Sequence, residues 1–417
     1  MFSSLKSLFD GKGSSENLTN ASKSSLDEKT SQVVRSNFDK LAENGNIAIS
    51  KFAYATSLPG NVVNVLFFQH QDITFEGVAT LISIICTIPS TTSNSAGLVP
   101  NSSRERCNSL EAKGVSTPSL LSALCGIDTK PTADYINPCT DELINKVPDI
   151  LRPISNALEA VFLKSTSPSP YRDVMVDGAS SMDGNTKFFL SAALYGRDQR
   201  VWSLLYSAKD DGFSMNRFEF GCFKYSAPTF TLVYGTVTKA SSCITNKVGK
   251  RIVVGAYLDT AWSKSKHTFG GEKSLLFFIS PIPCICRMIL SPKGQQQPAW
   301  VSSGGVGFGS RYQDVKAARL YIDFNTGVIR SGSILDTPVF ENFDIPRVSS
   351  SEEWEVNFEV DQVEVFGLGA PSAKAVQERE RRFEAKDAER RQNVNVRDTG
   401  MDKTILELAG VHSFSTD

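Results

Sequence analysis

The hydrophobic period of this chain changes once. Before the polar stretch STSPSP (165–170) apolar residues recur at helical spacing, and after it they fall in short strand-like runs split by Gly, Pro, Ser and Lys. Side chains repeat every 3.6 residues around a helix and every two along a strand, so one element type cannot satisfy both patterns. An α+β chain is predicted, with helices in front and packed antiparallel sheets behind. The strand-like runs are VWSLLYSA (201–208), FTLVYGTV (230–237), RIVVGAYL (251–258), KSLLFFIS (273–280), ARLYIDF (318–324) and VDQVEVFGL (360–368).

The front part, 26–164, divides further. Its first section is helical with two similar interruptions, GNIAISKF (45–52) and DITFEGV (72–78). Both resemble the exit of an EF-hand loop, which carries glycine at position six and carboxylates at one, three and twelve. Counting from Gly45 puts Lys40, Ala42 and Lys51 on those ligand positions, and Gly77 replaces the bidentate Glu of the second loop. The expectation is a degenerate EF-hand-like pair without metal. Residues 89–118 are Ser-, Thr- and Asn-rich without periodicity and are expected to form a disordered loop. Helical character returns over 141–164, broken near Pro148 and Pro153. Residues 1–25 are expected to be flexible. Phe2, Leu5, Leu8 and Phe9 beside Lys6 make either a weak membrane-surface stripe or a frayed terminus.

Charge and cysteine usage narrow the function classes. The balance of 44 Lys+Arg against 45 Asp+Glu leaves a net charge of -1, with no global basic field for nucleic acid. Eight cysteines form no CxxC pair, and the start MFSSLKSLFDGK lacks the apolar core of a secretory leader, so a reduced, cytoplasmic setting is expected. The most apolar run, LISIICTI (81–88), is far shorter than the ~20 residues that a bilayer requires.

No cofactor or catalytic motif is found. SGGVGFGSR (303–311) misses the dinucleotide fingerprint by one position, since Ser310 stands where the last glycine belongs and a strand-like run follows. Its glycines are expected to serve a bend between strands. His70, His267 and His412 lie in no nucleophile motif, and Cys284 with Cys286 lack the second pair that a closed zinc site needs. Cys222, in FEFGCFKYS, is either a buried inert thiol or a redox thiol, with Lys224 its one neighbour favouring thiolate. A non-enzymatic protein is expected.

Seven stretches in order resemble the TLDc domain: WSLLYSAKDDGFSMNRF (202–218), PTFTLVYGTV (228–237), VVGAYLDTAW (253–262), FGGEKSLLFFISP (269–281), the glycine run, LYIDFNTGVIRSGS (320–333) and SSEEWEVNFEVDQVEVFGL (350–368). The resemblance covers about half the chain. Residues 239–250 insert a loop, Cys-Ile-Cys at 284–286 enlarges a connection, and Phe366 replaces the family's usual Trp. It implies a two-sheet antiparallel β-sandwich over 172–369, after a linker at 165–171. Glu272, Asp323, Glu353 and Glu364 fall on acidic positions typical of the family.

The EF-hand-like front and the C-terminal extension make the chain similar to the lysosomal, mTOR-associated subgroup. That subgroup carries a myristoylated glycine after the initiator Met, but Phe2 stands here. The resemblance implies a non-catalytic adaptor that docks on peripheral subunits of the vacuolar-type proton ATPase (V-ATPase) and modulates its assembly or coupling. It would associate peripherally with the lysosomal or vacuolar membrane, in contact with TOR-pathway proteins. Because the family is linked to oxidation resistance, a thiol-based peroxide scavenger is one alternative, and a TOR-signalling scaffold at the lysosome is the other.

Residues 370–417 are expected to form a C-terminal helix and tail. Over 373–392 basic residues interleave with acidic ones, among them Arg381, Arg382, Arg390 and Arg391, while Val376 and Phe383 stand one heptad apart. After an expected break at Gly400, Ile405, Leu406 and Leu408 supply apolar anchors. This segment is either a partner-binding arm or a solvated helix supported by i,i+4 pairs such as Glu378–Arg382 and Asp387–Arg391.

Overall fold

The structure, a computed structural model, describes residues 26–56, 58, 60–67, 72–86, 103–113, 115, 119–120, 123, 143–147, 150–163, 174–194, 201–239, 248–280, 283–289, 297–343 and 354–408. The N-terminal apolar stripe, the linker, most of the 239–250 insertion and the tail beyond Leu408 lie outside these residues.

In the front part, Asp27 caps α1 (Glu28–Leu41), its carboxylate accepting from the Thr30 N–H. The chain continues through β1 (Asn46–Ala48), α2 (Ile49–Thr56), α3 (Gly60–Leu66), β2 (Asp72–Thr74) and α4 (Phe75–Ile85). Strands β1 and β2 pair antiparallel, Ile47 opposite Ile73, and so join two helix–strand–helix units. Lys51, on the last ligand position expected of the first loop, reaches the Glu43 carboxylate at 2.7 Å. Lys40 is turned back to Asn37 at 3.1 Å. Both ammonium groups, on positions where the EF-hand-like reading would need carboxylates, are thus engaged by neighbouring side chains.

Part of the expected loop is ordered. Ser103–Ala112 forms helix α5, because Cys107 and Leu110 bury one side of a stretch that carries the helix formers Arg and Glu. Helix α6 (Arg152–Leu158) begins with Pro153 in its first turn and runs on into a π-helical turn over Glu159–Leu163. That turn docks on α1 and α2: the Phe162 carbonyl accepts from Asn37 Nδ2, and its ring stacks on Phe52 at 5.6 Å.

Behind lie β3 (Met175–Asp177), α7 (Gly184–Ala193), β4 (Val201–Ser207), the turn-long helix α8 (Ala208–Asp211), α9 (Met215–Cys222), β5 (Thr229–Lys239), β6 (Arg251–Leu258), β7 (Leu275–Ser280), β8 (Cys284–Arg287), β9 (Ala299–Ser302), β10 (Gly305–Phe308), β11 (Leu320–Ile322), β12 (Thr326–Arg330), β13 (Glu355–Gly367) and α10 (Pro371–Leu408). The two expected layers are joined in one 11-stranded network, ordered β8-β7-β6-β5-β13-β12-β11-β10-β9. The 13-residue β13 is the shared member. One of its edges pairs along β5, and the other is divided between β12 at its start and β4 at its end. The pairing is antiparallel except between β3 and β4, which run parallel.

Alternation assigns the side chains to two cores. Val233, Val254, Leu276, Phe278, Cys286, Val306, Ile322, Ile329, Phe358 and Val363 fill the space between the layers. Phe230, Leu232, Val253, Tyr257, Leu275, Phe277 and Phe366 face the other way, into one cluster with Phe52, Leu81, Ile154 and Phe162 of the front helices. Strand β7 is therefore covered on both faces, which explains its continuous LLFFI run. Phe366, where the family has Trp, stacks on Phe230 at 4.8 Å.

The glycine run builds β10 and its exits. A Cβ at Gly307 would lie 2.3 Å from the Trp300 ring, and Gly309 has φ +78° against the Arg319 side chain.

Candidate interaction site on the C-terminal helix

Helix α10 begins at Pro371 and spans 38 residues, about 57 Å at 1.5 Å per residue. The expected break at Gly400 does not occur: the helix runs through it to Leu408. A glycine costs about 1 kcal/mol in a helix without interrupting its hydrogen bonds, and helix-forming Lys, Leu and Glu follow.

The first turns dock on the domain. Gln377, 1% exposed, donates through Nε2 to the carbonyls of Gly221 (3.1 Å) and Phe223 (2.8 Å). One turn later Arg381 donates to the same Gly221 carbonyl at 2.8 Å and lies over the Phe220 ring. Lys374 pairs with Asp177 at 3.3 Å, and Lys224 pairs with Glu384. Arg381, expected among the partner-binding residues, is thus engaged within the molecule.

The other expected contact residues face solvent as far as their side chains are described. Phe383 is 63% exposed and Val376 lies at 36%. Arg382 pairs loosely with Glu378 at 3.7 Å, and Asp387 pairs at 3.7 Å with Arg390, three residues on, where Arg391 was the expected partner. Arg391 is exposed. Ile405, Leu406 and Leu408 lie on the last turns of α10, and their side chains fall outside the described residues.

The acidic positions are dispersed. Glu364 is fully buried on β13, accepting from Ser180 Oγ at 3.0 Å, the Ser181 N–H at 2.6 Å and Tyr234 Oη at 3.4 Å. It ties the segment before α7 to the sheet. Burial, then the Glu364 charge, push the Tyr234 phenol far up. Asp323 accepts from the N–H groups of Asn325 and Thr326 and closes the β11–β12 turn. Glu272 is exposed on the turn before β7, and Glu353 lies outside the described residues. These carboxylates do not converge on one site.

Burial raises the pKa of Cys222 well above the ordinary thiol value of 9.0, outweighing nearby Arg381, and raises that of Cys286 likewise. Among the described residues, no group of three or more His, Cys, Asp or Glu could hold a metal ion, and no helix is long and apolar enough to cross a membrane.

Sequence reasoning missed Gln377 and the α9 carbonyls that it meets. A lone Gln in a charged helix carries no signal until its neighbour in space is known.

The chain is similar to proteins named Restriction of telomere capping protein 5. It is 25% identical to that of Neurospora crassa over 369 residues, covering 72% of this chain and 59% of the relative. Identity to the Candida tropicalis protein is 28% over 252 residues, covering 50% and 40%. The Saccharomyces cerevisiae (strain YJM789) protein is 24% identical over 311 residues, covering 64% and 54%. The chain thus spans about half the length of the curated relatives it matches. The family model described as TLDc domain matches residues 179–369. These residues, from the segment tied down by Glu364 to the joint before α10, are a TLDc domain.

Proposed function

We propose that this chain is a non-catalytic TLDc adaptor that binds peripheral subunits of the V-ATPase at the lysosomal or vacuolar membrane and modulates the pump, with α10 as its contact arm. The supporting observation is the arm itself: a 38-residue helix anchored only by its first turns, with Phe383 63% exposed among solvent-facing Arg382, Arg390 and Arg391. Any role in oxidation resistance or as a TOR-signalling scaffold would follow from that docking. The peroxide-scavenging alternative is less favoured, because burial keeps the Cys222 and Cys286 thiols protonated.

The test compares full-length protein with a chain ended before Pro371, using purified pump. Truncation is expected to weaken binding at least tenfold, about 1.4 kcal/mol. Charge reversal at Arg382, Arg390 and Arg391 should mainly slow association in a salt-dependent way, whereas Leu406→Ala with Leu408→Ala should mainly speed dissociation. Equal affinity of the two chains would show that the arm makes no contact. Peroxide turnover lost in Cys222→Ser would instead establish the thiol reading.

A further inference from the structure

Helix α9 ends at Cys222; the Phe223 N–H caps the Glu219 carbonyl, and the carbonyls after it lie beyond the helix's own donors. Gln377 and Arg381, four residues apart and so on one side of α10, supply donors to Gly221 and Phe223 there. Gln377 is the one buried side chain between residues 371 and 391. Hydrogen bonds and ion pairs therefore hold the helix, with little apolar burial, and such contacts specify direction more sharply than hydrophobic ones. The joint before α10 is pinned as well: Tyr225 Oη accepts from the Gly369 N–H at 2.8 Å, and a Cβ at Gly367 would lie 2.3 Å from the Tyr225 ring.

We propose that Gln377 and Arg381 are positioning residues, a polar clasp that caps α9 and sets the direction in which α10 leaves the TLDc domain. Resting on the adaptor reading above, the clasp presents the far turns of the arm to the partner already oriented, which removes an ordering cost from association.

The experiment uses full-length protein with dyes at the exposed positions 209 and 389, introduced through unnatural amino acids because native thiols are numerous. Single-molecule energy transfer should give one narrow distance distribution. In the double variant Gln377→Glu with Arg381→Ala, which sets a carboxylate against carbonyl oxygens, the distribution should broaden at least twofold with the melting temperature unchanged. Arg381→Lys, keeping charge but losing the planar fork, should fall between. Pump association by the double variant should slow about threefold, with dissociation unchanged. A variant distribution as narrow as the parent's would overturn the clasp. Broadening without any change in association would overturn its orienting role. If the intact protein does not bind the pump, the adaptor reading fails and the distance measurement alone decides the clasp.

Discussion

Arg319 is fully buried, and its guanidinium donates to four carbonyls: Arg330 (3.1 Å), Ser331 (2.7 Å), Phe340 (3.1 Å) and Glu341 (2.9 Å). It holds the segment 331–343 against β11 and β12, and Phe343 lies beneath it. Arg319→Met removes every one of these donors at once, and the expected cost is about 3–5 kcal/mol by urea denaturation. A loss under about 1 kcal/mol would mean that water reaches those carbonyls. Trp262 and Phe277 differ in kind from Arg319 but not in consequence. Trp262 donates to Thr229 Oγ1 at 2.9 Å and meets Phe218 edge-on, while Phe277 is buried against the front helices. Truncating either to Ala should destabilise by ~3–5 kcal/mol. On the acid side, the hydrogen bond and charge of Lys51 lower the Glu43 pKa. A lowered folded value means stability present above the unfolded carboxylate range and lost as pH falls through the folded value. Glu43→Gln should therefore flatten the stability profile below about pH 4.5, visible as a smaller shift in melting temperature on acidification.

At the level of elements, β13 and α10 show opposite ways of holding a segment. Strand β13 pairs with three neighbours and buries most of its residues, so it is the last place from which local opening should start. Its Glu355 shows the balance: burial pushes the carboxyl up, but the Asn357 hydrogen bond and Arg330 outweigh that and hold it low. Helix α10 is anchored over about three turns and buries one glutamine. Ending the chain before Pro371 should shift the melting temperature by less than about 2 °C. Amide exchange within α10 should be fastest in the turns beyond the clasp. Protection at residues 395–408 equal to that at 373–381 in the free protein would mean that the distal helix has an unrecognised support.

For the whole molecule, the two parts separated by chain pattern share a core. Phe230, Leu232, Tyr257 and Phe277 of the sheet lie in one cluster with Phe52, Leu81 and Ile154 of the helices. Calorimetry of the full chain should therefore give one cooperative transition, and two well-separated peaks would show that the shared face adds little. The buried thiols add an alkaline limit. Cys222 and Cys286 have pKa values raised by burial, so the neutral thiols stabilise the fold fully below the unfolded value of 9.0, and this contribution is lost as pH rises above it. The urea midpoint should fall from about pH 9 upward under reducing conditions, and Cys222→Ala should lessen the fall.

Periodicity alone separated helices from strands, placed β4 through β7 and β11 within a few residues, found the later part of β13, and identified a long charged helix at the end, because those signals are local. The short strands β8, β9, β10 and β12, of four or five residues, were not legible as strands. Pairing across the sheet creates them, and a run so short carries no period of its own. Helix α5 was hidden for a similar reason, since Cys107 and Leu110 become a face only where a core receives them. The acidic family positions were visible as residues, but burial inside the sheet gave Glu364 its role and turn geometry gave Asp323 a different one. At the candidate site, composition exposed the charged arm and its two apolar outward residues. Only the tertiary fold brought the α9 carbonyls under Gln377 and Arg381, more than 150 residues away in the chain, and so decided that Arg381 is held against the domain while Arg382, Arg390 and Arg391 face solvent.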